Sequence, residues 1–255
     1  MLQRFKKIGK AFLFVGGGKT LFFNFYFLPF RQAIRLPIVL PRKTTIWGWR
    51  HGRIEIHGPI RTGMINFSTH QLEQCSREAR TFINLYRGTV VFNGSCAFGR
   101  GVTLNVAYGG RCVFGRNIQI GHHSRIICRK SIVVGNDIQC SWEVQIMDTD
   151  FHYLHDLSSR IVRNNTLPIM IGDRVWIANR VSILKGVVIP NGCILSIGSI
   201  VKRVPENNVY SENSILAGSP AMCIKKDYEY VWDSAVEREL GIFFKQDNAP
   251  ETKMI

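Results

Sequence analysis

Acidic residues are missing from the first 54 positions of this 255-residue chain. The same stretch holds Arg4, Lys6, Lys7, Lys10, Lys19, Arg31, Arg35, Arg42, Lys43 and Arg50, with Arg53 beside them. The formal net charge of +15 is therefore uneven, and a one-signed field favours an anionic partner. An apolar run, Leu21 to Phe30, lies inside this basic segment, but a membrane-spanning helix needs about 20 apolar residues. Nucleic acid is not the expected partner, because the aromatics are consecutive instead of spaced among cations and no recognition motif is present. A phosphate loop is also missing. Gly16-Gly17-Gly18-Lys19-Thr20 imitates one, yet the pattern demands glycine five positions before its last glycine, and Leu13 stands there. The seven cysteines form no CxxC pair and no metal-like cluster. Cys112, Cys128, Cys140 and Cys193 fall in or beside apolar stretches, where cysteine behaves as a small hydrophobe. Free thiols without a cleavable signal sequence make the cytoplasm the expected location.

What the chain does have is a period. Ile171, Ile177, Ile183, Ile189, Leu195 and Val201 place an aliphatic residue at every sixth position. Six matches neither the 3.6 of a helix nor the 2 of a surface strand; a fixed longer repeat signals stacked units that bury a shared core. The period predicts a parallel β-helix. Each hexapeptide makes one short strand and one turn, three make a coil, and coils stack about 4.8 Å apart. Upstream the register loosens through Phe98-Gly99, Phe114-Gly115, Ile120-Gly121, Ile126, Val134-Gly135, Cys140 and Ile146. Glycine directly after the aliphatic suggests tight corners that use its backbone freedom.

Between Ile146 and Ile171 the interior pattern fails: positions 152, 158 and 164 hold His, Ser and Asn, which cannot line an apolar core. Residues 148–168 are therefore expected to leave the wall as a loop, and loops on a rigid repeat scaffold tend to carry function. A second polar stretch, 68–80, reads the same way. The expected organisation is a basic, aromatic segment over 1–43, a β-helix over 44–226 and a C-terminal helix and tail over 227–255. The first segment either caps the open first coil, as every solenoid requires, or meets an anionic leaflet peripherally. The two roles are compatible. Apolar residues at Val231, Trp232, Ala235, Leu240 and Phe243 suggest a short helix packed on the last coil or on a neighbour.

Three ordered pieces give this chain a family resemblance: Asp148-Thr149-Asp150-Phe151-His152, then Ile171-Gly172-Asp173-Arg174-Val175-Trp176-Ile177-Ala178, then Ala217-Gly218-Ser219-Pro220-Ala221. Over about residues 94–226 it resembles the hexapeptide-repeat acyltransferases, particularly the maltose, galactoside and polysaccharide O-acetyltransferase branch. That resemblance implies an all-β, left-handed parallel β-helix and a homotrimer with active sites between neighbouring solenoids. It also implies acetyl-CoA as acyl donor, with no metal required. His152 stands at the position that looks like the family's catalytic histidine, a residue type suited to removing a hydroxyl proton near neutral pH. His155 is the rival, or shapes the acceptor pocket. Asp148 or Asp150 is expected to orient the imidazole, and a backbone N–H near Ala178 to meet the oxyanion.

Matching positions for the coenzyme arm are Trp176, Ala178, Asn179, Ile197, Lys202, Arg203 and Lys225, the cations facing phosphates. Ile197 stands where the family carries a small residue, and Ala178 where it carries glycine. The implied reaction is acetyl transfer to a sugar hydroxyl of a cell-surface glycan or its lipid-linked or nucleotide-linked precursor, at the inner face of the cell membrane if the basic segment binds there. Amino-sugar N-acetylation and a non-catalytic β-helix scaffold are the competing readings. A zinc hydratase on the same fold would need His122, His123 and His152 to converge, whereas adjacent histidines of a strand face opposite ways.

Overall fold

A computed structural model describes residues 16–69, 78–204, 210–246 and 249–255; most of the expected loop at 68–80 lies outside them. Short strands recur on three faces in turn, each pairing in parallel with its counterpart one coil on. The first face runs from Ile38–Val39 through Ile65–Thr69, Cys96–Gly99, Ile118–Ile120, Ile138–Cys140, Trp176–Ile177 and Ile194–Leu195 to Ser214–Gly218. The second holds Thr44–Trp47, Thr81–Asn84, Thr103–Val106, Arg125–Cys128, Gln145–Met147, Ser182–Leu184 and Ile200–Val201. The third holds Arg53–Ile56, Thr89–Phe92, Arg111–Phe114, Ser131–Val134, Ile169–Ile171 and Val188–Ile189. The fold is the expected left-handed parallel β-helix. It begins earlier than residue 44, because Ile38 already pairs with Ile65.

All six aliphatics of the unbroken period are at most 3% exposed. Their coils are strict: Met170 lies beside Val188 and Ser182 beside Ile200, 18 positions apart. Upstream, Ile126 pairs with Ile146 and Leu104 with Ile126, at 20 and 22 positions. The added residues sit in the corners, which is why the sixfold register loosens there while the walls stay in line. Cys112, Cys128, Cys140 and Cys193 are buried as small apolar residues. Burial pushes the Cys140 thiol up to about 12 and the Cys193 thiol to about 11.

The glycines that follow aliphatics have a different cause from the one expected. Gly99, Gly115, Gly121, Gly135 and Gly172 are not in the left-handed region; Asn117, His123, Asp137, Glu143, Arg174 and Arg180 at the corners are. What requires glycine is proximity. A Cβ on Gly121 would lie 2.4 Å from the carbonyl of Ser141, and one on Gly115 2.3 Å from the oxygen of Gly135.

Side chains reinforce the stacking where the third face turns into the first. Asn136 accepts from the Arg116 N–H at 3.0 Å, Asp173 from the Asn136 N–H at 2.6 Å, and Asn191 from the Asp173 N–H at 2.8 Å. The open first coil is closed by helix α1 (Gly17–Phe27), followed by the short α2 (Phe30–Ala33). Asn24 donates to the Ile38 carbonyl at 2.7 Å and accepts from its N–H at 3.0 Å, while Thr20 Oγ1 accepts from the Leu40 N–H at 3.1 Å. These two side chains supply what a preceding strand would have supplied. Lys19 of the false phosphate loop donates to the Thr44 carbonyl at 2.6 Å. At the other end α3 (Ser234–Phe243) is N-capped by Asp233, as expected of a helix there, but none of its residues is buried in this chain. Val236, Leu240 and Phe243 along it are half-buried.

If close approach fixes the corner glycines, Gly121→Ala should destabilise despite a backbone that alanine can adopt. The expected loss is about 1–3 kcal/mol for overpacking, read as a fall in Tm; an unchanged Tm would mean that the corner can yield.

Candidate active site

The extruded loop leaves where the second face turns into the third. Thr149 bridges Thr166, and beyond them Leu154–Asp156 pairs antiparallel with Ile161–Arg163, setting His155 opposite Val162. At the tip of this hairpin Asp156 accepts from the Ser158 hydroxyl at 2.6 Å and from the N–H groups of Ser158 and Ser159, which holds its carboxyl well below the usual range.

The base of the loop is braced from both neighbouring coils. Asp148 is fully buried, and its carboxylate accepts three backbone N–H groups of the preceding coil: Arg129 at 2.7 Å, Lys130 at 2.8 Å and Ser131 at 2.8 Å. From the following coil, Lys185 Nζ reaches Asp150 Oδ2 at 2.5 Å and the Asn164 carbonyl at 3.0 Å. Both expected orienting carboxylates are thus engaged elsewhere. Asp148 ties the loop to the wall instead of facing His152. Asp150 is paired with Lys185, and between it and His152 Phe151 adopts φ +62° and turns the chain. The contact between the two residues is the His152 N–H donating to the Asp150 carbonyl at 2.7 Å. His152 itself is exposed, as is His155.

Sequence reasoning missed Lys185 and a ridge beside the loop. The Arg129 guanidinium lies 4.6 Å from the Tyr108 ring centre and 5.7 Å from that of Phe151, next to His152. Tyr86 continues the ridge at 5.6 Å from Tyr108. Only the register reveals it, since these residues come from successive coils.

Of the residues matched to the coenzyme arm, Ala178, Asn179, Ile197, Lys202 and Arg203 divide between two edges of the second face, while Trp176 and Lys225 lie in the sheet of the first. Asn179 and Ile197 occupy equivalent places in successive coils where the first face turns into the second; the Gly198 N–H donates to the Asn179 carbonyl at 3.0 Å. Trp142 holds the same place one coil earlier, linked by the Arg180 N–H at 3.2 Å. The Ala178 N–H donates to Leu195 at 2.9 Å, so it is not aimed at an oxyanion. Trp176 is covered by Tyr230, ring centres 5.2 Å apart. Lys202 and Arg203 are exposed at the opposite edge, the one that carries the loop. Lys225 lies on the antiparallel strand Ala221–Lys226, its ammonium 5.0 Å from the Tyr228 ring. Across a three-residue strand the two edges stand about 10 Å apart. His152 and Asn179 therefore sit at opposite edges of one face, and one solenoid does not bring them into a single cleft.

His122 is buried in the wall, its Nδ1 accepting from the Arg100 N–H at 2.9 Å, whereas His123 turns out at the corner with φ +57°. Neither shares an edge with His152. Among the described residues no three His, Cys, Asp or Glu side chains group as a metal site would require.

No protein-family model matches the chain. Over 160 residues it is 29% identical to WbbJ of Escherichia coli K12, named as an O-acetyl transferase of lipopolysaccharide biosynthesis; the match covers 58% of this chain and 78% of WbbJ. Two yeast proteins named as acetyltransferases match over shorter stretches. One, from Saccharomyces cerevisiae, is 43% identical over 24% of this chain and 28% of its own length. The other, from Schizosaccharomyces pombe, is 34% identical over 37% of this chain and 43% of its own. Among solved structures, the polySia specific acetyltransferase NeuO superimposes with a TM-score of 0.57 at 18% identity, covering 84% of this chain and 83% of NeuO. That is a likeness of fold. The chain is thus similar in sequence to proteins named as acetyltransferases and shares a fold with NeuO. Among the described residues the loop at 148–168 is the part of the wall that departs furthest from the repeat.

The two carboxylates separate cleanly in a stability measurement. Asp148→Ala should cost about 1–3 kcal/mol by stranding buried N–H groups and lower Tm, while Asp150→Ala removes an exposed ion pair and should change stability by about 1 kcal/mol or less. Equal effects would contradict the assignment of Asp148 to the loop base.

Proposed function

We propose that this protein is an acyltransferase that moves an acetyl group from acetyl-CoA to a sugar hydroxyl of a cell-surface glycan or its lipid- or nucleotide-linked precursor, with His152 as general base. The observation that carries the reading is the bracing of the loop: Asp148 and Lys185 fix it to the coils on either side, yet the His152 imidazole is left open to solvent. The loop geometry thus sets the base out from a rigid wall instead of burying it. WbbJ, named for O-acetyl transfer in lipopolysaccharide biosynthesis, supports oxygen over nitrogen as the acceptor atom.

In the proposed reaction the hydroxyl proton passes to the His152 imidazole as the oxygen attacks the thioester carbonyl. The C–S bond then breaks, and the imidazolium returns the proton to the leaving thiolate. Lys202, Arg203 and Lys225 would meet the donor's phosphates, with Trp142, Asn179 and Ile197 along the opposite edge. The ridge of exposed Tyr108 and Phe151 with half-buried Arg129 gives a sugar apolar faces and a cation beside the base.

Because His152 and the Asn179 edge stand about 10 Å apart across one face, a complete site forms when the loop edge of one chain meets the Asn179 edge of the next. This supports the homotrimer, and it leaves a neighbour's side chain to orient His152.

Purified protein should release thiol from acetyl-CoA only when a sugar acceptor is present. His152→Ala should lower kcat by about 10²–10⁴-fold without lowering Tm. Faster turnover with amino sugars would shift the acceptor to nitrogen. Donor binding with unchanged activity in the variant would remove His152 from the mechanism, and no donor binding would leave the scaffold reading.

A further inference from the structure

Helix α1 has two apolar faces, and the cap uses one. Phe23 and Leu28 point into the first coil and are at most 6% exposed, with Thr20 and Asn24 bonded to its strand edge. The opposite face carries Leu21, Phe22, Phe25 and Tyr26, 40–49% exposed, and continues into Phe30 at 69% and Ile34 at 60%. The rings form one surface: Phe22 and Tyr26 stack at 5.4 Å, Trp49 packs edge-on at 5.2 Å from Phe22, and Phe25 lies 6.1 Å from Phe30. A terminal cap needs a polar outer face to stay soluble. This one breaks that rule over a continuous patch, which marks an occupied surface.

We infer that this outer face seats on an anionic lipid leaflet. The rim is basic, with Arg31, Arg35, Arg50 and Arg53 exposed around the rings, and Glu55 is the first acidic residue of the chain. A second copy is a poor occupant, since two such caps would bring like charges together. A leaflet complements both features: aromatic side chains enter the headgroup region while the arginines meet lipid phosphates. Residues 1–15, outside the described part, continue the same composition with four cations and no acid. No helix among the described residues is long and apolar enough to cross a membrane, so the contact is peripheral. Resting on the proposed function, the orientation also sets a height. The catalytic loop leaves the fifth coil, four rungs of about 4.8 Å from the first, and the cap helix adds about 10 Å, so His152 would act on a glycan standing about 30 Å off the surface.

The test is sedimentation of the full chain with vesicles of phosphatidylcholine, alone or mixed with phosphatidylglycerol. It needs no activity, so its result stands apart from the fate of the catalytic reading. Binding is expected to the anionic vesicles only, to fall with salt, and to shift tryptophan emission to the blue in the unaltered protein as Trp47 and Trp49 enter the interface. The triple change Phe22→Gln, Phe25→Gln, Phe30→Gln alters exposed rings and should weaken partition about tenfold or more, and Arg31→Gln with Arg35→Gln should weaken it and flatten its salt dependence. Turnover of a soluble acceptor should be unaffected by either. Unchanged binding by the triple variant would overturn the inference, as would binding lost only on neutralising Arg4, Lys6, Lys7 and Lys10. A lipid-free dimer abolished by the ring substitutions would assign the patch to protein instead.

Discussion

Parallel backbone pairing between successive coils holds the rung height constant, and the rest of the molecule is arranged to keep it so. Each strand supplies its edge to the next coil, so the core is built by nearest-neighbour contacts. Corners must then stack at the same height as strands. That is why glycines follow the inward aliphatics: a Cβ on Gly135 would fall 2.5 Å from the Gly172 oxygen. The same constraint lets Asn136, Asp173 and Asn191 pass hydrogen bonds from coil to coil, because equivalent side chains recur one rung apart.

Constant rung height explains what was legible in the sequence and what was not. The period was readable at 171–201 because the corners there hold no extra residues, and it blurred upstream because corners absorb additions without disturbing the wall. The loop was readable as a failure of the pattern at positions 152, 158 and 164. The reason for the glycines was not, since close approach depends on a neighbour some 20 positions away that no local motif identifies. Asp148 and Asp150 show the same limit. Their proximity to His152 in sequence suggested orientation, but their partners are the Arg129–Ser131 backbone and Lys185, which become neighbours only through stacking. The ridge of Tyr86, Tyr108 and Arg129 was invisible for the same reason.

A solenoid has edges instead of a cleft, and this shapes where catalysis can occur. In a globular enzyme, loops from many elements converge on one concavity. Here the loop edge and the Asn179 edge flank a single flat face. Ile197 stands 65% exposed on the Asn179 edge. The geometry that makes the wall rigid leaves these edges flat, and the proposed trimer would close them.

The loop itself tests whether such a wall tolerates departure from its repeat. Gln145 pairs with Ser182 across 37 positions, where strict coils need 18. Lengthening a corner from a few residues to about twenty costs close to three doublings of loop length, about 2 kcal/mol of closure entropy. Asp148 offsets this on one side: after the cost of burying the carboxylate, its three N–H bonds leave about 1–3 kcal/mol. Lys185 adds its hold from the other. Because both anchors act near the base, at Asp148, Asp150 and Asn164, the hairpin beyond them stands clear of the wall, and the chain presents an exposed histidine while the parallel pairing continues on either side.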